Sequence, residues 1–473
     1  MESVNFLLMQ HELVLIAIAL IVLMAEIGTD EGKKWNIYPI TLILFLAHTI
    51  IGFYPIFGHG ELFGGMYTVS PLSLMMKNCL NIGVLIILLQ CSDWFKKLSA
   101  SGRMTEVLLL LISTLIGMSF MISAGDFLMF YMGLELATLP IAALAAYETS
   151  KDRSAEAGIK LILSSALSSA VLLMGVSFMY AIAGNLYFSE FSQNLDGSAL
   201  QIAGFIFFVA GIGFKISAVP FHLWTADVYE GAPVNITSYL SVISKGAAVF
   251  IASILFMQVF HGMADVWERI LYALAIATMT VGNLFAIRQQ NLKRFLAFSS
   301  IAQAGFILLG IIEGGRFGMT AVVYFMLIYI FSNLGAFGVI SSVYYFTGKE
   351  NRDDYNGFYL TNPKLSLVML ISLFSLAGIP PVAGFFGKFF LFAAAASKGY
   401  YVLVLIATIN AVVSLYYYLL VVKAIFINKS EKPIDTFNSN FYMKTSLLIC
   451  SAGIIFIGLI SMIYEHIFGL ADF

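Results

Sequence analysis

Charge is scarce in this sequence. Charged side chains make up 11% of its 473 residues, less than half of the roughly 25% typical of a soluble domain. So little charge cannot cover a surface that faces water, and the solvent for most of the chain is therefore lipid. Cysteine is scarcer still. Cys79, Cys91 and Cys450 lie far apart with no C-x-x-C, which leaves thiolate-held zinc or iron–sulfur clusters without a ligand set. The six histidines show no H-x-x-x-H spacing. No G-x-G-x-x-G follows a strand pattern and no Walker A loop occurs, so no nucleotide or flavin site is legible. A net charge of −2 presents no basic face to nucleic acid. Met1 to Asn5 include Glu2 and no Lys or Arg, unlike the basic start of a cleavable signal peptide. The first apolar run reads as a retained helix.

Hydrophobic residues are abundant, at 60%, with 42 Phe and 23 Tyr, which suits lipid-facing and interfacial positions. Apolar runs long enough to span ~30 Å of hydrocarbon recur throughout. They read as 8–26, 36–54, 71–90, 104–122, 126–146, 156–182, 199–221, 233–258, 266–287, 294–312, 317–345, 364–395, 400–427 and 441–463. The expected fold is an all-α polytopic membrane protein of about 14 transmembrane helices, with no inserted soluble domain. Of the 25 Lys and Arg, 18 fall in loops on one side and three on the other. The positive-inside rule then places both termini away from the cytoplasm.

The four remaining lysines, Lys77, Lys215, Lys245 and Lys388, fall inside apolar spans, as does Glu135. An ionisable side chain at the bilayer centre costs roughly 2.5–3.5 kcal/mol on insertion scales. Glu135 and the three mid-span lysines together cost on the order of 10 kcal/mol. Structural pairing explains them poorly, because three are basic and one is acidic. Lys77, near a helix end, reads as a structural ion pair or a snorkelling side chain. Lys215 and Lys245 are equidistant along the chain from Glu230–Gly231, so an antiparallel hairpin sets them at similar depth. A lysine able to give up its proton is what a proton relay needs. Glu135 is the plausible counter-charge, expected within roughly 4–6 Å of Lys215.

Helix breakers adjoin two of these lysines. Pro220 follows Lys215, and Pro380 and Pro381 precede Lys388 in a span too long for one straight crossing. Either break taken alone reads equally as a simple proline kink. Two breaks, each near a buried lysine and five helices apart, fit two five-helix units, spans 4–8 and 9–13, the second inverted because the count is odd. His222, Asp227 and Glu230, in FHLWTADVYEGAP, sit at the cytoplasmic end of span 7. They are candidates for proton admission and equally for helix capping. The serines of SSALSSA (164–170) read as small-residue helix packing.

With these residues placed, the sequence is seen to resemble a known family. GLELATLPIAALAAYE (133–148), GFKISAVPFHLWTADVYEGAP (213–233), VISKGAA (242–248), NLKRFLAFSSIAQAGFILLG (291–310), SLAGIPPVAGFFGKFFLF (375–392) and SLYYYLLVVKAIF (414–426) resemble the antiporter-like subunits of the proton-pumping NADH:quinone oxidoreductase, respiratory complex I. Within that set they are most similar to the subunit N group. The resemblance covers most of the chain from about residue 104. Lys388 stands where subunit M typically has Glu, and the chain lacks the long lateral helix of subunit L. Ala226 departs from the family's usual Pro, which bears on loop rigidity and not on the charges.

The resemblance implies two inverted five-helix repeats with broken helices 7 and 12. It divides the chain into helices 1–3 (1–103), a first repeat (104–258), an inverted second repeat (259–427) and helix 14 (428–473). It implies a coupled Glu135–Lys215 pair, Lys245 as central relay and Lys388 as the terminal release residue. It implies a bacterial inner-membrane location and other membrane and peripheral complex I subunits as partners, antiporter-like neighbours among them. NADH, FMN, iron–sulfur clusters and quinone are expected on those partners, with no cofactor or metal in this chain. The competing expectations are a subunit of a multisubunit cation/proton antiporter with no redox partner, and a structural membrane subunit whose charges only pair.

Overall fold

In lipid, backbone N–H and C=O groups have no partners except each other, so apolar runs become helices. The computed structural model describes residues 5–54, 58–99, 102–195 and 197–471. The residues on which the signal-peptide reading turned, Met1 to Val4 with Glu2, and the last two, Asp472 and Phe473, lie outside the described residues.

Three helices come first, α1 (Gln10–Gly28), α2 (Ile37–Gly52) and α3 (Pro71–Gln90). Next are α4 (Met104–Ile122), α5 (Phe127–Ala145), α6 (Asp152–Ala183), α7 (Ala199–Ile216), α8 (Leu223–Gly231) and α9 (Val234–Val259). Then follow α10 (Ala264–Ile287), α11 (Leu292–Glu313), α12 (Arg316–Thr347), α13 (Pro363–Ala377), α14 (Ala383–Ser397), α15 (Tyr401–Phe426), α16 (Phe441–Leu459) and the short α17 (Met462–Leu470).

Among the described residues, 13 helices are long and apolar enough to cross a membrane. The expected twelfth span is the pair α13 and α14, each too short to cross alone. Counting that pair as one crossing brings the total to the 14 read from hydropathy. The seventh span is likewise divided into α7 and α8. α7 ends where Ser217 turns left-handed at φ 63°, and α13 ends at Gly378, φ 87°. The Val219–Pro220 and Pro380–Pro381 peptides are cis. Two details depart from an all-helical reading. The glycine-rich connection after α2 forms a small antiparallel hairpin, Gly60–Leu62 against Tyr67–Val69, with Gly60, Gly64 and Gly65 at positive φ. The last span stops at Leu459, and α17 is a separate helix.

α11 and α12 are enclosed over their central apolar stretches, whereas α1, α15 and α16 lie at the rim, with about a third or less of their apolar stretches buried. The most extensive helix contacts are α10 with α11 and α4 with α5. α4 and α5 approach closely because glycines face each other. A Cβ at Gly117 would stand 2.4 Å from the backbone N of Ala137, and one at Gly133 would stand 2.6 Å from that of Met121. Small residues at such crossings bring backbones together in place of a hydrophobic drive that lipid does not supply. The crossing fixes α5, which carries Glu135.

Candidate functional site: buried lysines on neutral partners

Glu135 sits midway along α5, at the edge of the outward stripe formed by Leu128, Met132 and Leu139. Its Oε1 is buried without a hydrogen bond, and Tyr131, one turn earlier, lies beside the carboxylate. Lys215, in the last turn of α7, donates to Thr138 Oγ1 at 2.7 Å. Thr138 is one turn beyond Glu135, so both partners of Lys215 come from one face of α5. The expected Glu135–Lys215 coupling therefore involves no direct contact between the two side chains. Among the described residues no ion pair joins Glu135 to Lys215; the carboxylate acts on the ammonium through its field, and the hydroxyl takes the hydrogen bond.

A cavity of about 20 Å³, lined by Thr138, Lys215, Ser244 and apolar side chains of α4, α5, α7 and α9, opens between Lys215 and the next helix. That is room for about one water. Ser244 precedes Lys245, and the turn Leu240–Ser244 is π-helical, a bulge that re-aims side chains and recurs at functional sites. Lys245 points to α11. Its Nζ donates to Ser300 Oγ at 2.8 Å and to the Ser300 carbonyl at 3.2 Å.

One turn further along α11, Gln303 Nε2 donates to the Leu376 carbonyl at 3.0 Å and to Tyr418 Oη at 3.1 Å. Ser299 and Tyr418 share a 2.5 Å hydrogen bond. Leu376 lies at the end of α13, beside the second break. There Lys388, reaching back from α14, donates to the Ala377 carbonyl at 3.1 Å, and its ammonium lies 4.7 Å from the centre of the Phe306 ring. A Cβ at Gly378 would stand 3.1 Å from Lys388 Cδ. Ser332 donates to Ser375 Oγ at 2.7 Å, and that oxygen accepts the Gly384 N–H at 3.1 Å, which ties the two halves of the broken span together. At the first break the freed Val219 N–H goes to Thr278 Oγ1 at 3.0 Å. The two breaks thus differ: the second gives a carbonyl to its lysine, while the first leaves Lys215 to a hydroxyl.

His222, Asp227 and Glu230 come to the mouth of α8, but they are not equivalent. Asp227 accepts from Lys160 at 2.6 Å and Arg294 at 2.8 Å; Glu230 lies 3.0 Å from Arg294 and 3.5 Å from Arg153. These carboxylates tie α6, α8 and α11 together. His222 Nδ1 is buried without a partner.

Two further lysines are buried and paired. Lys77 Nζ lies 2.7 Å from Glu12 Oε1 and 3.1 Å from Tyr67 Oη. It is therefore an ion pair and not a snorkelling residue, and Glu12 is a second acid inside the spans that the count of mid-span charges missed. Lys293, read from the sequence as a loop residue, is 4% exposed and lies 3.1 Å from Glu350 Oε1. The sequence reading also passed over Thr138, Ser300 and Gln303. Their signal was helical spacing, three residues from Glu135 in the first case and three residues from each other in the second.

A helical membrane bundle with two interrupted spans, with a lysine at each break, half-buried at the first and buried at the second, has the fold of the antiporter-like transport subunits. The family model described as NADH:quinone oxidoreductase/Mrp antiporter, TM, matches residues 124–414. NADH-quinone oxidoreductase subunit N of Phocaeicola vulgatus is 48% identical over 466 residues, 98% of each chain. The protein of the same name from Azobacteroides pseudotrichonymphae is 48% identical over 99% of this chain and 98% of its own. A chain of respiratory complex I from Thermus thermophilus with bound aureothin superposes with a TM-score of 0.79 at 26% identity, over 95% of this chain and 97% of that one. A chain of the Mrp complex from Dietzia sp. gives 0.85 at 18% identity, over 98% and 97%, a likeness of fold alone. The chain belongs to the NADH-quinone oxidoreductase subunit N family.

Proposed function

We propose that this chain is the antiporter-like, proton-translocating subunit N of an NADH:quinone oxidoreductase, and that Glu135, Lys215, Lys245 and Lys388 carry the proton. One observation supports this above all: Lys215, Lys245 and Lys388 are held by neutral oxygens of Thr138, Ser300 and Ala377 and make no ion pair among the described residues, whereas Lys77 and Lys293 each have a carboxylate in contact, Lys293 donating to the Ala232 carbonyl as well. A buried ammonium on a carboxylate is locked in its charged form, because removing either charge leaves the other unpaired. A lysine on a hydroxyl or carbonyl keeps its hydrogen bond whether charged or neutral, so it can take up and release a proton.

The order follows the helices. A change of charge near Glu135 alters the proton affinity of Lys215 through space. Water in the cavity beside Ser244 takes the proton from Lys215 towards Lys245, which lies one residue beyond that lining, since gaps beyond 3.5 Å need water. Ser300, Gln303 and Tyr418 line the passage from Lys245 to the second break. Gln303 and Tyr418 hold water there, because an amide accepts and donates without itself ionising. Lys388 delivers the proton to the side away from the cytoplasm, where both termini lie. His222 makes no ion pair among the described residues and so suits proton uptake better than Asp227 and Glu230, which are engaged in ion pairs. Spans 4–8 and 9–13 form the two inverted repeats; the close pairs α4–α5 and α10–α11 open the two units and support that division. NADH, FMN, iron–sulfur clusters and quinone belong to partner subunits in a bacterial inner membrane.

The test is assembly against coupling. Lys215→Ala and Glu135→Ala complexes, isolated through a tag on a partner and checked for subunit content by mass spectrometry, should assemble and lose most proton translocation, with quinone reduction falling alongside. Wild-type pumping in an assembled Glu135→Ala complex would remove that residue from the path. Isolation with no quinone-site or iron–sulfur partners would favour the redox-independent antiporter.

A further inference from the structure

At the lysine- and arginine-rich end of the bundle, a groove of about 530 Å³ runs between α13 and α16. Its floor is apolar, formed by Leu365, Val368, Leu447 and Leu448, and it opens outward at Leu448, 70% exposed. Its rim holds two exposed ammonium groups, Lys364 in the first turn of α13 and Lys444 in the first turn of α16. No carboxylate lines it. Both helices begin here, so their positive dipole ends add to the two lysines. The relay residues lie elsewhere, and nothing in the proposed mechanism uses this place.

We infer that this groove binds an anionic phospholipid, with the phosphodiester between Lys364 and Lys444 and an acyl chain along Leu365, Val368 and Leu448. The chemistry selects the occupant in two ways. An apolar floor has no use for free phosphate but packs against an acyl chain, which reaches it from the bilayer without crossing water. Two uncompensated lysines favour a headgroup with net negative charge over a zwitterionic one, which brings its own ammonium into a positive field. Basic residues at this level draw anionic lipids, each contributing about 1 kcal/mol.

The experiment uses the assembled complex reconstituted in phosphatidylcholine vesicles doped with phosphatidylglycerol carrying a photoreactive acyl chain. Irradiation should label peptides spanning 363–368 and 444–451. Unlabelled phosphatidylglycerol should compete; added phosphatidylcholine or inorganic phosphate should not. In the Lys364→Gln/Lys444→Gln variant the apparent affinity should fall about 30-fold, from ~1 kcal/mol per lysine, with assembly and turnover unchanged. Undiminished labelling in that variant, or equal competition by phosphatidylcholine, overturns the assignment. So does capture of these peptides by a protein crosslink to a neighbouring subunit in place of the lipid.

Discussion

Among the described residues four lysines are buried and a fifth, Lys215, is half-buried, and their partners divide them into two kinds. Lys77 and Lys293 face carboxylates; Lys215, Lys245 and Lys388 face neutral oxygens. The division makes opposite predictions for substitutions that look alike. Lys77→Met strands Glu12, and an uncompensated buried charge costs about 3–5 kcal/mol. The complex should assemble in reduced amount, judged on native gels, and Glu12→Gln in the same chain should restore part of it. Whatever assembles should pump as many protons per electron as the wild type. A pumping defect at full assembly would instead place Lys77 in the relay. Thr138→Val keeps volume and removes the hydroxyl that holds Lys215. Losing one partner of a hydrogen bond to a charged group costs about 1.5–3 kcal/mol, so NADH-driven dye quenching in inverted vesicles should slow about tenfold or more. Thr138→Ser should stay close to wild type. An undiminished rate in Thr138→Val would show that the hydroxyl is not needed.

At the scale of elements, the breaks in spans 7 and 12 position the lysines. Gly378 ends α13 at φ 87°, with Lys388 Cδ 3.1 Å from where a Cβ would stand. Gly378→Ala meets a left-handed penalty of about 1–2 kcal/mol and pushes Lys388 from the Ala377 carbonyl. We expect near-normal assembly with pumping reduced several-fold; equal pumping would mean that the break tolerates a displaced Lys388. The sequence revealed the spans well, because hydropathy over ~20 residues is a strong signal in lipid. It revealed the breaks through Pro220 and Pro380–Pro381. It did not reveal the partners. Glu12 and Lys77 are 65 residues apart, and nothing local ties them. Lys293 adjoins Arg294 at a helix start, which looks like a solvated end; its burial depends on α8 and Glu350 folding over it. Thr138, Ser300 and Gln303 are neutral, and neutral polar residues in membrane helices usually serve packing.

At the scale of the whole molecule, the charges are strung across the bundle through its most enclosed part. α11 contributes Ser300 to Lys245 and Gln303 to the second break, and it is buried from Phe295 to Ile312. A stretch so enclosed is out of reach of lipid, so the proposed path along it would stay sealed between the two ends of the bundle. A relay requires that the lysines change charge, and Lys245 tests that most directly. Arginine keeps the positive charge but does not release its proton near neutral pH. The measurement is protons translocated per electron, in proteoliposomes of assembled complex with Lys245→Arg and Lys245→Met. A relay predicts that both lose most translocation, since neither side chain can cycle between charged and neutral forms. A wild-type ratio in Lys245→Arg, with Lys245→Met alone defective, would show that a fixed positive charge suffices and would contradict proton transfer through Lys245.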